Sequence, residues 1–242
     1  MILISKIMLK TFPRVIDLAF ILLAMISLQA CAQEQLKSTT SSKVVDYETA
    51  RKLFWQELYP GGGETLYCGR PFLPTARKGF NIEHVFPMSW ASNGLNCGKR
   101  KQCRASSDIF NIIEADLHNL FPSRTDINRA RDSFKFAEID GEKRNFGREC
   151  DFEINARNRV AEPRPEARGD IARAMFYMAT EYREQGLELF RRQALLLAEW
   201  HRADPPSKQE QRRNDRIEQV QGNRNPYIDD PDSLESLLKK WY

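Results

Sequence analysis

The segment Asn81-Ile-Glu83-His84-Val-Phe-Pro87 places a carboxylate beside an imidazole where an apolar–polar alternation ends. A carboxylate can hold a divalent cation, and a neutral imidazole can accept a proton from water. The chain contains three histidines, so few side chains offer a base near neutral pH. We therefore interpret Glu83 as a metal ligand and His84 as a general base. Taken alone, the pair is also typical of a surface glutamate beside a hydrogen-bonded structural histidine.

The position of this pair in its strand poses a geometric problem. Adjacent residues of a regular strand point to opposite faces, so Glu83 and His84 would diverge. Both can serve one site only if the strand ends or bends there. Pro87, three residues after His84, is compatible with such an end.

A basic segment follows at 99–104 and supplies candidate phosphate ligands. Arg100 and Arg104 carry planar guanidinium groups, whose donors match phosphate oxygens. Lys99 and Lys101 are more typical of a solvated loop. We expect Arg100 and Arg104, together with Arg131 further along, to contact nucleic acid.

Oxygen ligands come next in the chain. Glu114 adds a carboxylate, and Asn128 adds an amide oxygen at the start of a predicted helix. Carboxylate and amide oxygens suit Mg²⁺, Mn²⁺ or Ca²⁺ better than Zn²⁺, and Mg²⁺ is usually held by one or two protein ligands plus water and phosphate. Glu83 and Asn128 fit that description. By local rules alone, Asn128 is more typical of a polar residue near a helix N-terminus than of a metal ligand.

Five blocks of residues, taken in order, resemble the bacterial endonuclease I family. These are exported, non-specific nucleases of the ββα-metal (His-Me finger) type. The likeness continues to about residue 228. The blocks are Tyr67-Cys68-Gly69, Glu83-His84-Val85-x-Pro87, Gly98-x-Arg100-Lys101-x-Cys103, Glu114-Ala-Asp116-Leu-His118-Asn119-Leu120-x-Pro122-Ser123 and Asn128-x-x-Arg131.

The resemblance implies a fold and a set of roles. The fold would be α+β and mostly helical, with a ββα-metal finger core embedded in a helix-rich single domain. His84 would be the general base, Glu83 and Asn128 the ligands of one divalent cation, first of all Mg²⁺, and Arg100 the catalytic phosphate-binding arginine. Glu114 falls at an acidic position that supports the site. DNA, and RNA as a further candidate, would be cut largely without sequence preference, leaving 5′-phosphate ends.

The N-terminus is typical of an export signal. Residues 1–32 combine basic residues, a short apolar run and small residues at the end. Two processing routes are open besides an uncleaved anchor: ordinary cleavage after Ala32, or a lipoprotein signal ending before Cys31, with lipidation of that cysteine. We expect a flexible tether over 33–43, a nuclease domain over 44–242, and a periplasmic or secreted protein. Attachment to the outer membrane would follow only if Cys31 is lipidated.

The four remaining cysteines are expected to form disulfides, because they are even in number in an exported chain. Three connectivities are open. Cys97 and Cys103 flank a short Gly-containing loop and are candidates for a local pair, which would leave Cys68 with Cys150. A zinc site is the weaker alternative, since there is no CxxC spacing.

Hydrophobic periodicity predicts which elements position these groups. A strand is expected over 80–86, and short extended segments are expected over 65–68 and 117–122. Loops are expected over 95–104 and 140–168. Helices are expected over 44–59, 108–116, 125–131, 171–182, 187–201, 207–222 and 232–241.

Overall charge does not identify a nucleic-acid-binding protein. The net charge of +4 falls to +2 without residues 1–32, which carry three basic residues and one acidic residue. Phosphate binding would therefore depend on local basic clusters. Two other classes compete. A non-catalytic envelope protein that binds nucleic acid would need no metal, and a zinc peptidase would need a His-rich set, whereas the chain has no HExxH motif. We expect a monomer without an obligate protein partner.

Overall fold

The computed structural model describes residues 44–75, 78–141 and 143–241. The predicted export signal, the tether over 33–43 and Cys31 lie outside the described residues. Within the described part, no helix is both long enough and apolar enough to cross a membrane.

The described chain begins with a helix that leads into two short strands. Helix α1 (Tyr47–Leu53) is capped by Asp46, whose carboxylate accepts a hydrogen bond from the Thr49 amide, and it continues as a π-helix over Phe54–Leu58. Strand β1 (Gly63–Glu64) pairs antiparallel with β2 (Pro71–Phe72). The strand predicted over 65–68 is wrong, since these residues form a turn after β1.

A strand pair followed by a helix forms the centre of the molecule. Strand β3 (Phe80–His84) pairs antiparallel with β4 (Leu120–Arg124), and β4 leads directly into a helix over Thr125–Arg131. Each face of the strand pair packs on its own hydrophobic cluster: Phe121 belongs to one, and Ile82 to the other. The predicted ββα core is thus present, and burial on both faces fixes its register.

Three helices are inserted between the paired strands. They are α2 (Met88–Gly94), α3 (Arg100–Ser106) and α4 (Asp108–Ala115). Ser107 caps α4, because its hydroxyl accepts a hydrogen bond from the Phe110 amide. The loop predicted over 95–104 is wrong in its second half, which belongs to α3; α5 is the helix over Thr125–Arg131.

A small three-stranded sheet follows in a region predicted to be mostly loop. Strand β5 (Lys135–Phe136) runs parallel to β7 (Val160–Pro163), and β6 (Phe152–Asn155) pairs antiparallel with β7. The Cys68–Cys150 disulfide links the turn after β1 to a residue that lies two positions before the start of β6. The second disulfide joins Cys97 to Cys103. Both predicted disulfides are confirmed.

The C-terminal third is helical, as predicted, and we call it the helical body. Ser207 and Gly222 cap its third helix, with Gly222 in the left-handed conformation at φ 96°. Its five α-helices, counted over the described residues, are α6 (Arg168–Glu181), α7 (Arg191–Ala203), α8 (Lys208–Gln221), α9 (Pro226–Asp229) and α10 (Ser233–Trp241). The structure thus confirms the predicted helix-rich α+β fold.

Candidate active site

A cleft of about 960 Å³ opens at the C-terminal end of β3. It brings together His84, Glu83, Asn128, Arg100 and Arg104, which the sequence predicted to share a site. Glu114 lies buried directly behind the two arginines. One cavity therefore gathers side chains from β3, α3 and α5, and Glu114 of α4 lies behind its wall.

His84 is held in a single tautomer by a backbone oxygen. Its Nε2 lies 2.9 Å from the carbonyl oxygen of Glu114. Because a carbonyl can only accept, Nε2 carries the proton, and Nδ1 keeps its lone pair. Burial, followed by the nearby charge of Arg100, lowers the pKa of His84 to about 4. The imidazole is therefore neutral at pH 7 and can accept a proton at Nδ1.

Glu83 is buried on the other face of the strand, at 3% exposure. Its Oε1 accepts a hydrogen bond of 2.7 Å from the Tyr67 hydroxyl and lies 3.3 Å from a guanidinium nitrogen of Arg131. Burial raises the pKa of Glu83, while Arg131 and Tyr67 act in the opposite direction. Both contacts use Oε1, and Oε2 takes part in neither. Glu83 and His84 therefore leave β3 on opposite faces yet line one cleft at the end of the strand.

Asn128 is oriented by the strand beside it. Its amide nitrogen donates to the Ile82 carbonyl oxygen at 3.0 Å and lies 3.2 Å from Oδ1 of Asn81. These contacts engage the nitrogen and leave Oδ1 as the acceptor end of the amide. No group of three or more His, Cys, Asp or Glu side chains suited to a metal occurs within the described ranges. The Glu83 carboxylate and the Asn128 amide are hard oxygen donors, and this donor set fits a cation such as Mg²⁺.

Glu114 organises the opposite wall of the cleft. Its carboxylate is 1% exposed and pairs with Nε of Arg100 and with Nε of Arg104, the latter at 2.6 Å. The two arginine side chains remain 45% and 43% exposed. Since the Glu114 carbonyl also holds His84, one residue positions both the imidazole and the guanidinium groups of the two arginines. The sequence predicted a supporting role for Glu114 but not this double contact.

Two tyrosines of the site were missed by the sequence interpretation. The ring centres of Tyr47 and His84 are 5.2 Å apart. The guanidinium carbons of Arg100 and Arg104 lie 5.5 and 5.4 Å from the centre of the Tyr47 ring. Tyr67 holds Glu83, as described above. Tyr47 belongs to α1, far from the motif in sequence, and only the fold brings it near. Tyr67 lay within a quoted block, but nothing local linked it to Glu83.

The prediction that Arg131 contacts nucleic acid is wrong. Its side chain is 1% exposed, and the guanidinium donates to the Val85 carbonyl oxygen at 2.7 Å and to that of His84 at 3.3 Å. It also lies 4.7 Å from the centre of the Phe136 ring. Buried by these contacts, Arg131 fixes the end of β3 and faces Glu83.

The sequence pattern of the Endonuclease I family matches residues 24–232. The chain belongs to the endonuclease I family. The match spans the whole ββα core, the inserted helices and most of the helical body. Membership confirms the predicted enzyme class, an endonuclease.

Proteins that are similar to this chain in sequence carry the names of nucleases. An extracellular deoxyribonuclease of Aeromonas hydrophila is 39% identical over 61% of this chain and 64% of its own length. A periplasmic deoxyribonuclease of the same organism is 34% identical over 72% of this chain and 81% of its own length. An extracellular ribonuclease of Bacillus amyloliquefaciens is 32% identical over 65% of this chain and 53% of its own length. The chain thus spans about two thirds of the first relative and about half of the ribonuclease.

Proposed function

We propose that this protein is an exported, metal-dependent endonuclease that hydrolyses phosphodiester bonds of DNA, and of RNA as a second substrate, largely without sequence preference. The observation that carries the proposal is the 2.9 Å bond between Nε2 of His84 and the Glu114 carbonyl oxygen. It directs the proton-accepting nitrogen away from the buried backbone, on a residue that lines the cleft. Export is supported by the residue pattern of 1–32 and by the extracellular and periplasmic names of the relatives.

The proposed reaction uses His84 as the general base. Nδ1 takes a proton from a water molecule, whose oxygen forms a bond to phosphorus, while the bond from phosphorus to the 3′ oxygen breaks. The departing 3′ oxygen takes up a proton from solvent, so the products carry 5′-phosphate and 3′-hydroxyl ends, and His84 afterwards returns its proton to solvent. Nε2 stays bonded to the Glu114 carbonyl oxygen throughout, which keeps the ring oriented.

Glu83 and Asn128 would hold one divalent cation, with Mg²⁺ as the first candidate and Mn²⁺ and Ca²⁺ sharing the same ligand preference. When bound, the cation supplies positive charge next to the phosphate oxygens and the leaving 3′ oxygen. Tyr67 and Arg131 hold the Glu83 carboxylate in place from behind. The ordered positions of Glu83 and Asn128 reduce the cost of assembling the site.

Arg100 and Arg104 would bind the phosphate backbone. Glu114 holds each guanidinium through its Nε edge, while roughly half of each side chain stays open to the cleft. Contacts to phosphate carry no base information, which agrees with cleavage at many sequences. Binding is therefore expected to weaken strongly as the salt concentration rises.

The decisive test is digestion of plasmid DNA and of a structured RNA by the purified protein. We expect cleavage with Mg²⁺, none with EDTA, recovery on adding Mg²⁺ back, and products that a 5′-phosphate-dependent ligase can rejoin. Glu83→Ala should lose cleavage while keeping a folded circular dichroism spectrum. A folded protein that binds DNA but cuts neither substrate with Mg²⁺, Mn²⁺ or Ca²⁺ would contradict the proposal. Cleavage that persists in EDTA would contradict the metal site alone.

A further inference from the structure

A second groove of about 450 Å³ continues from the active-site cleft. Ser89, Asn93 and Ser133 line both the cleft and this groove, which establishes their continuity. A strand whose scissile phosphate lies near His84 could therefore continue along the groove. The proposed catalytic reaction uses none of the residues that lie only in the groove.

An exposed aromatic side chain forms one wall of the groove. Phe190 is 57% exposed and is the exposed aromatic residue of the described ranges. Its ring packs against Trp90, with ring centres 5.7 Å apart at 59°. A single exposed apolar residue is ordinary on a protein surface, so the surroundings of Phe190 must decide its role.

The charged residues that line this groove within the described chain are both cationic. They are Lys135 and Arg159. The Lys135 ammonium lies 5.8 Å from the centre of the Phe190 ring. Arg159 donates to the Ser133 hydroxyl at 3.3 Å, where groove and cleft meet. Its ion pair with Asp132 spans 4.0 Å between side chains that are each 61% exposed, and such a pair leaves Arg159 available to a polyanion.

The next cavity along the surface has a different character. It shares Lys135, Asn158 and Phe190 with the groove, but its other charged lining residues are of mixed sign: Arg192, Glu138 and Asp140. These carboxylates disfavour a phosphate backbone in that direction. The part of the surface whose charged residues are all cationic therefore ends near Phe190.

We infer that this groove is a subsite for single-stranded nucleic acid, in which an unpaired base stacks on Phe190 while Lys135 and Arg159 contact neighbouring phosphates. Aromatic faces combined with cations are the usual means of binding single strands without sequence preference. A duplex keeps its base faces stacked inside, so Phe190 contributes little to duplex binding. The inference rests on the proposed function, since it presumes that nucleic acid occupies the cleft.

The first experiment measures affinity without cleavage. Fluorescence anisotropy in EDTA compares a short single-stranded oligonucleotide of mixed sequence with a hairpin duplex, and a gel checks that both stay intact. Phe190→Ala should weaken single-strand binding about tenfold and duplex binding much less. The matched control is Leu195→Ala. Leu195 is an exposed apolar residue of α7, at 47% exposure, lies outside the groove, and its loss should change neither affinity.

The second experiment locates the stacked base. A single abasic site is moved along the strand, and the wild-type protein should lose affinity at one preferred position. Phe190→Ala should be insensitive at that position, whereas Phe190→Trp should restore both the affinity and the positional effect. Lys135→Gln should weaken binding wherever the abasic site lies and reduce the salt dependence by about one phosphate contact.

Three results would overturn the subsite. The first is an equal loss of affinity for single strand and duplex in Phe190→Ala. The second is a loss of wild-type affinity that does not depend on the position of the abasic site. The third is a change in the apparent molecular mass of Phe190→Ala on size exclusion without a change in its DNA affinity. The last would identify the surface as a protein contact. Failure of the proposed nuclease function gives a different result, because plasmid cleavage would be absent in the wild-type protein while these binding measurements remain interpretable.

Discussion

Two buried carboxylates in this protein bind arginine in nearly the same way but in different surroundings. In the cleft, Glu114 pairs with Arg100 and Arg104. In the helical body, Glu210 accepts two bonds of 2.6 Å from Arg173. All three arginines face a carboxylate that is nearly inaccessible to water.

The difference lies in what remains of each guanidinium group. Arg173 is 1% exposed and also donates to the Asp204 carbonyl oxygen at 2.7 Å, so its donors are consumed within the fold. Arg100 and Arg104 remain 45% and 43% exposed. The Arg173–Glu210 pair joins two helices of the helical body. In the cleft, Glu114 instead holds two guanidinium groups that remain accessible to a ligand. An arginine paired with a buried carboxylate can therefore bind a ligand only where its guanidinium keeps a face toward solvent.

The largest expected effect separates two histidines that make the same kind of bond. His84 binds the Glu114 carbonyl oxygen, and His201 binds that of Pro231 at 3.0 Å in the helical body. His84→Ala should lower the rate of plasmid cleavage by about 10²- to 10⁴-fold, because the general base is lost. His201→Ala should lower the melting temperature and leave the rate per folded molecule intact. Near-normal cleavage by His84→Ala would exclude the proposed base.

The next prediction tests the two carboxylates directly. Glu114→Gln keeps the carbonyl that holds His84 but releases Arg100 and Arg104, so kcat/KM should fall about 10- to 100-fold. Glu210→Gln should instead cost about 3 kcal/mol of unfolding free energy, because Arg173 stays buried without its charge partner. Steady-state kinetics and urea unfolding of both variants measure the contrast. If both variants lost stability and neither lost activity, the distinction drawn above would be wrong.

A several-fold effect is expected from the two disulfides. Cys97–Cys103 closes a separation of 6 residues next to Arg100, and Cys68–Cys150 closes one of 82. Loop entropy predicts about 2 and about 4.5 kcal/mol of stabilisation. Replacing Cys97 and Cys103 by serine should lower activity several-fold at a modest cost in stability. Replacing the other pair should mainly lower the unfolding free energy; the reverse pattern would contradict a positioning role for the short loop.

The smallest effect concerns salt. Arg104→Gln should reduce the slope of log affinity against log salt by about 1, since one phosphate contact is lost. Arg202, 51% exposed and paired with Glu235 on the helical body, is the matched control, and Arg202→Gln should leave the slope unchanged. Titration of a hairpin duplex in EDTA at several salt concentrations measures both. Equal slopes for wild type and Arg104→Gln would remove Arg104 from the binding surface.

Local chemistry allowed several elements to be predicted well. Ser107 and Ser207 each accept the expected amide hydrogen bond at the start of a helix, and Gly222 ends α8. These features depend on neighbouring residues only, so the sequence contains all the information. Tertiary contacts are different: Ser207-Lys-Gln-Glu210 has the sequence of a capping box, but the Glu210 carboxylate binds Arg173.

Within the candidate site, the sequence determined which groups are present and their order. It predicted the strand with Glu83 and His84, the arginines of α3 and the helix with Asn128, because strand alternation and family motifs are properties of the chain itself. It also indicated that adjacent strand residues would point to opposite faces, and the structure agrees.

Only the tertiary structure decided how those groups act together. The end of β3 lets both faces reach one cleft, and a backbone carbonyl thirty residues from His84 selects its tautomer. Arg131 was expected to contact DNA, but its side chain is buried and pairs with Glu83. Burial, carbonyl direction and the exposed edge of a guanidinium depend on residues far apart in the chain, so no local pattern contains them.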